Sequence, residues 1–150
     1  MALVHIPSQE QRSLSAPTLQ LEGHGGEIYC TKFSECGNFI ASAGQDREVN
    51  FWDVFNGCQN LGVCKGHKNA ILDLKWSTDS TQLFTASADK QVVAWDTYSF
   101  TKSRTFRGHE NNVNSVDVIG ERVVTGSDDC TVKVWDNRSQ KYVSSFKLGY

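Results

Sequence analysis

Gly-His followed by Trp-Asp occurs three times in this chain, and that recurrence constrains the fold more than any other feature. Gly23-His24 leads to Trp52-Asp53, Gly66-His67 to Trp95-Asp96, and Gly108-His109 to Trp135-Asp136. The histidines stand 43 and then 42 positions apart. A repeat of ~40–45 residues with these end-markers is the signature of a β-propeller blade. A chain of such units is all-β, and three of them make an arc, because closed propellers carry ~4–8 blades of four strands. The blades run over about residues 23–65, 66–107 and 108–150, and residues 1–17 read as a flexible tail.

Within each repeat, short β-branched and aromatic runs alternate with turn residues, which is the strand pattern. The first repeat predicts strands at Ile28–Phe33, Phe39–Gly44 and Glu48–Asp53, with a tight turn at Gln45–Arg47. The second predicts Ile71–Trp76, Leu83–Ser87 and Gln91–Asp96, and the third Val113–Val118, Arg122–Gly126 and Thr131–Asp136. More polar fourth strands follow near Gln59–Cys64, Lys102–Phe106 and Tyr142–Leu148. That gradient fits inner strands sandwiched between neighbouring sheets and a fourth strand facing solvent.

Four residues recur in register. Asp46, Asp89 and Asp129 all lie six positions before the Trp, and Ser42, Thr85 and Thr125 all lie ten before it. With the histidines they form the sets His24–Ser42–Asp46–Trp52, His67–Thr85–Asp89–Trp95 and His109–Thr125–Asp129–Trp135. By these sets the chain is identified as a member of the WD-repeat family, whose structural tetrad they match in all three blades. The resemblance implies that each histidine links the turn Asp to the strand hydroxyl and the indole N–H. A buried polar group left unpaired costs ~1–3 kcal/mol, so a connected set of them fixes a turn geometry. Ser, His and Asp together also invite a hydrolytic reading. A nucleophile needs an exposed site with an oxyanion pocket, whereas this set recurs in every blade against a Trp. No residue is assigned to catalysis, and the reading is of a protein that is not an enzyme.

Composition narrows the remaining classes. A hydrophobic fraction of 39% and an aromatic fraction of 11% suit a chain that forms a core. The net charge is −2 with Lys and Arg scattered, so charge gives no case for RNA or DNA contact. Cys30, Cys36, Cys58, Cys64 and Cys130 are odd in number and form no C-x-x-C pair. That usage fits a reducing compartment, and the cysteines at 30, 36, 58 and 64 read as small buried residues. No His or Cys spacing fits a structural zinc site, no phosphate loop is present, and no cofactor or small-molecule substrate is implied. No apolar run approaches the ~18 residues of a membrane helix, and residues 1–16 lack a signal-peptide pattern. The expectation is a soluble cytosolic or nuclear protein.

Propellers of this family close by a clasp in which an N-terminal strand completes the last blade. Thr18–Leu21 is placed to be that strand, and its partner strands would belong to a further blade. An open arc would bare two apolar blade faces, so the sequence reads as the N-terminal part of a longer ring, or as three blades completed by another chain. Segments such as Gly26-Glu27-Ile28-Tyr29-Cys30, Ala41-Ser42-Ala43-Gly44-Gln45-Asp46-Arg47, Leu83–Lys90, Asn112–Ser115 and Thr125–Asp129 resemble the WD-repeat subunits of the spliceosomal U-five snRNP. That resemblance implies a seven-blade ring, a nuclear location, and a role in pre-mRNA splicing beside the large scaffold protein of the spliceosome core and other splicing factors.

The family also implies which positions meet partners: three and five residues after the histidine, and one before the turn Asp. Here these are Glu27, Tyr29 and Gln45, then Ala70, Leu72 and Ala88, then Asn112, Asn114 and Asp128. Tyr29 stands out, since a Tyr offers contact area and a hydroxyl at little entropic cost. Two alternatives stay open. Trp135-Asp136-Asn137-Arg138 resembles the W-D-x-R of Cullin-4 ubiquitin-ligase substrate receptors, where the Arg, here Arg138, would contact the adaptor. A signalling scaffold like the β subunit of heterotrimeric G proteins is the other, although Pro7 and Pro17 and the lack of heptads in residues 1–17 do not support its coiled coil.

Overall fold

A computed structural model describes residues 18–149, so the tail expected at 1–17 lies outside the described residues. The strands are β1 (Ile28–Phe33), β2 (Phe39–Gly44), β3 (Glu48–Asp53), β4 (Gln59–Lys65), β5 (Ile71–Trp76), β6 (Gln82–Ser87), β7 (Gln91–Asp96), β8 (Thr101–Arg107), β9 (Val113–Ile119), β10 (Arg122–Ser127), β11 (Thr131–Asp136) and β12 (Tyr142–Lys147). They form three four-stranded sheets, β1–β4, β5–β8 and β9–β12, each in sequence order. Every pairing is antiparallel, for example Ala41↔Phe51, Phe84↔Ala94 and Val124↔Val134. Each sheet is a propeller blade. Thr18–Leu21, expected as a clasp strand, pairs with no strand among the described residues, and Leu19 and Leu21 are exposed.

Packing runs in one direction along the arc. One face of the first blade, with Ala41, Ala43, Val49 and Cys64, buries Ile71, Leu74 and Trp76 of the second. The matching face of the second, with Phe84, Ala86, Val92 and Phe106, buries Val113, Val116 and Val118 of the third. Hydrogen bonds cross both joints. The Trp76 indole N–H donates to the Lys32 carbonyl (3.1 Å), and the Val116 N–H donates to Asp73 Oδ2 (3.0 Å).

The same positions are bare where no blade follows or precedes. Val124 and Phe146 are 38% and 54% exposed, although their register counterparts Phe84 and Phe106 are buried. At the other end β1 is exposed almost throughout, against the expectation that every inner strand is sandwiched. Ile28 and Phe33 stand where Ile71 and Trp76 are covered. The residues are of the right type in each case, and what differs is the absence of a neighbouring sheet among the described residues.

The tetrads hold the opposite end of each blade from the β1–β2, β5–β6 and β9–β10 turns. In the second blade the Trp95 Nε1–H donates to Thr85 Oγ1 (2.8 Å), Thr85 Oγ1 meets His67 Nε2 (2.7 Å), and His67 Nδ1 meets Asp89 Oδ2 (2.8 Å). The first blade repeats this through Trp52, Ser42, His24 and Asp46 at 2.8, 2.7 and 2.6 Å. The third does so through Trp135, Thr125, His109 and Asp129 at 2.8, 2.7 and 2.8 Å. A directed chain satisfies every group: the indole donates to the hydroxyl, the hydroxyl to Nε2, and Nδ1–H to the carboxylate. Each carboxylate also accepts two backbone N–H groups, from Gly25 and Glu48, from Lys68 and Gln91, and from Glu110 and Thr131. It thereby ties the loop after the histidine to the β-turn. That turn puts Arg47, Lys90 and Cys130 at φ of 68, 71 and 63°, a conformation that costs a side-chain-bearing residue energy and needs outside support.

The glycine of the Gly-His pair has its own cause. Gly66 and Gly108 sit at φ of 154 and 155°, reachable only without a Cβ. A Cβ there would also come within 3.3 and 3.2 Å of the Trp95 and Trp135 rings.

Burial alone would raise the pKa of the tetrad carboxyls. The hydrogen bonds from His24, His67 and, at Asp129, Thr131 and the Glu110 N–H outweigh it, and all three carboxyls lie below their ordinary value. A depressed folded pKa gives stability that is complete above the unfolded value of ~3.9 and lost as pH falls through the folded value. The melting temperature is therefore expected to drop in acid below about pH 4, with a shallower drop in Asp89→Ala; parallel acid profiles for the two proteins contradict this. At neutral pH Asp89→Ala should lose about 1–3 kcal/mol, while Lys68→Ala, which keeps the bonded backbone N–H, should be nearly neutral in chemical denaturation. Equal losses would remove the tetrad from its structural role. The bare faces lead to a further expectation: the 150-residue chain by itself should self-associate or bind a hydrophobic dye, and Val124→Lys with Phe146→Lys should lessen both. A dye-free, monodisperse monomer contradicts it.

Candidate functional site

The positions that the family resemblance marks for partners gather at the tetrad end of the blades, and the backbone fixes them in the same way three times. The Gln45 N–H donates to the Glu27 carbonyl (2.8 Å), Ala88 to Ala70 (2.9 Å), and Asp128 to Asn112 (3.0 Å). The position five after the histidine is in each blade a bulged residue of the inner strand. The pairing steps from Ile28 to Cys30 past Tyr29, from Ile71 to Asp73 past Leu72, and from Ser115 to Val113 past Asn114. A bulge leaves one residue unpaired and re-aims its side chain. This is why the strand alternation does not bury it.

The side chains then differ blade by blade. Tyr29, half exposed, donates its hydroxyl to Gln45 Oε1 (2.9 Å). Asn114 donates through its amide to Asp128 Oδ1. Leu72 and Ala88 take the corresponding positions, with Leu72 half-buried. Glu27, Gln45, Asn114 and Asp128 are exposed, Asn112 is partly buried and Ala70 is buried. The structure thus joins Tyr29 to Gln45 and Asn114 to Asp128 as two preset polar pairs flanking an apolar step. Pairs already held by hydrogen bonds lose less side-chain freedom on meeting a partner.

Arg138 lies at the other end, in the turn after β11. Its guanidinium bonds Asp136 of the same turn, Nη2 to Oδ2 at 3.0 Å and Nε to Oδ1 at 3.2 Å. That contact holds the Asp136 carboxyl down at about 2. The side chain remains largely exposed.

The tetrad hydroxyls are poor nucleophiles in this setting. Ser42, Thr85 and Thr125 are buried, and each is engaged by a Trp on one side and a His on the other. Among the described residues no group of three or more His, Cys, Asp or Glu is placed to hold a metal ion, and no helix is long and apolar enough to cross a membrane. The five cysteines are free. Cys64 is buried, and burial pushes the Cys30 and Cys64 thiols up to about 12. Cys36 corrects the expectation of burial: it is exposed in the β1–β2 turn, and contacts with Ser34 Oγ (3.3 Å) and the Asn38 backbone hold its thiol below the ordinary range.

The family described as WD domain, G-beta repeat matches residues 15–53, 58–96 and 100–136. The chain is 40% identical over 95% of its length to the pre-mRNA-splicing factor cwf17 of Schizosaccharomyces pombe, covering 43% of that protein. It is 38% identical over 97% of its length to the U5 small nuclear ribonucleoprotein 40 kDa protein of Dictyostelium discoideum, covering 42% of it. The Homo sapiens protein of the same name is 42% identical over 99% of the chain and covered to 43%. The chain spans about two fifths of the length of these relatives. Among solved structures, that of U3-55K superposes with a TM-score of 0.81 at 26% identity, over 85% of this chain and 41% of the other. The RRP9 WD40 repeats give 0.80 at 27% identity over the same shares. Three matched repeats, three meander sheets and three tetrads agree: the chain belongs to the WD-repeat family.

Proposed function

We propose that this chain contributes three blades to a larger WD-repeat ring, closed through Thr18–Leu21, that serves as a non-catalytic protein-interaction scaffold in pre-mRNA splicing. Its place is the nucleus, within the U5 snRNP, beside the large scaffold protein of the spliceosome core. One observation carries the reading: identity of 38–43% to U5 40 kDa proteins and cwf17 extends over 95–99% of the chain.

The tetrad-end rim supports the same role. Tyr29–Gln45, Leu72 and Asn114–Asp128 lie on bulged, backbone-locked positions of successive blades. They give a protein partner a polar–apolar–polar surface. The net charge of −2 offers phosphate backbones no comparable attraction.

The test uses the full-length protein as bait and identifies what it retains. Splicing factors should be recovered, and the Cullin-4 adaptor should not. A Tyr29→Ala/Asn114→Ala double variant should keep its melting temperature, because both side chains are exposed, yet lose recovery, since truncation at such rims costs ~1–4 kcal/mol of binding. Arg138→Ala should retain its partners. Loss of recovery in Arg138→Ala alone, with the Cullin-4 adaptor in the wild-type eluate, would replace this reading with the ligase one.

A further inference from the structure

The two blade joints are built from the same repeat positions, yet they end differently at the base, away from the rim. In the joint of the second and third blades, the strand partner of Ala94 is Arg104, whose guanidinium donates to the Asn137 carbonyl, and the cavities beside it are lined mainly by polar side chains, Arg104 and Gln140 among them. In the joint of the first and second, the partner of Phe51 is Gly62. There the Phe100 ring lies so close that a Cβ on Gly62 would sit 2.4 Å from it. Phe100 reaches this place from a turn in which it holds φ of 55°. Its ring is 5.1 Å from Phe51, and Phe51 meets Trp76 edge-on at 5.6 Å.

These rings floor an open cavity of about 500 Å³. Tyr98, 83% exposed, stands at its mouth. Asp79 is on its lip, with Oδ1 bonded to Ser77 Oγ (2.6 Å) and the Thr81 N–H (3.1 Å). Those bonds keep the carboxyl below its ordinary pKa and hence charged at neutral pH. Among the described residues no Lys or Arg lines the cavity. At the corresponding positions the next joint carries Gln82, Ala94 and Gln140 in place of Phe39, Phe51 and Phe100. Here partly buried Phe39 and Phe100 and exposed Tyr98 line the cavity, with Asp79 the one charged residue among its described lining.

We infer that this base groove holds an extended segment of a partner protein in which an aromatic or large aliphatic side chain is flanked by Lys or Arg. The volume lies within the ~300–1,000 Å³ of ligand pockets, and an aromatic anchor in a desolvated pocket is the usual energetic centre of such contacts. The Asp79 carboxylate selects the flanking charge. A ring stacked on Tyr98 and Phe100 would cover apolar area that is otherwise wet. This surface is separate from the rim and does not depend on the splicing assignment.

The test titrates the full-length protein with three short peptides, acetyl-Gly-Arg-Phe-Arg-Gly-amide and its Arg-Ala-Arg and Glu-Phe-Glu counterparts, following backbone amide shifts by NMR. The Arg-Phe-Arg peptide should bind saturably and shift residues 78–80 and 97–100, with the other two weaker by about tenfold, a loss of ~1.4 kcal/mol. Tyr98→Ala and Asp79→Asn should each weaken binding severalfold with the melting temperature unchanged. Absence of saturable binding, equal binding of the three peptides, or indifference to either substitution overturns the inference. So does self-association in sedimentation that Tyr98→Ala abolishes, which would make a second copy of the chain the occupant.

Discussion

The structure hangs on a buried hydrogen-bond chain from indole to hydroxyl to imidazole to carboxylate, made three times. Its members lie on the loop before the inner strand, the second strand with its turn, and the third strand of a blade. Neutral hydrogen bonds stabilise a fold modestly, whereas an orphaned buried partner is costly. The chain therefore acts less as glue than as a condition, because every alternative turn geometry strands one of its groups. Since the carboxylate also accepts N–H groups from the adjoining loop and turn, the condition passes directly to the rim.

On that frame the repeats diverge where the frame does not need them alike. The position two before the Trp is Asn50, Val93 or Lys133. Asn50 is buried and accepts from Asn60 (2.8 Å). Val93 belongs to the core between the first two blades. Lys133 lies over the Tyr142 ring and donates to Ser145 Oγ (3.0 Å). The rim shows the same freedom, with Tyr–Gln, Leu–Ala and Asn–Asp pairs on one backbone pattern, and the base contrasts Gly62–Phe100 with Arg104–Asn137. A rigid, repeated scaffold with individual surfaces suits the proposed role of presenting several sites to protein partners.

Much of the fold was legible in the sequence because its cause is local and periodic. The Gly-His and Trp-Asp markers, the alternation of β1–β3 and the register of the tetrad Asp and hydroxyl placed most strands to within a residue of their observed bounds. What could not be read there depends on neighbours. The exposure of β1, and of Val124 beside buried Phe84, reflects which sheet lies next to each face, and identical residue types serve both states. The bulges at Tyr29, Leu72 and Asn114 leave no mark in hydrophobic pattern, although the family's partner positions coincide with them. Cys36 looked like a small core residue and proved to be an exposed turn residue, because the Ser34–Asn38 turn carries it away from the sheet. The base groove gave one signal, Tyr98 and Phe100 in a turn where solvent-exposed aromatics are out of place.

Native-state hydrogen exchange tests the central claim most directly. Gly25, Lys68 and Glu110 lie in exposed loops outside the strand ladders, and their amides are bonded only to a tetrad carboxylate, at 3.0, 2.9 and 2.9 Å. If the carboxylates lock the rim, these amides should exchange as slowly as those of the adjoining strands, and Asp89→Asn should release Lys68 while leaving Glu110 protected. Exchange of all three at the rate of free loops, with strand amides still protected, would contradict the account.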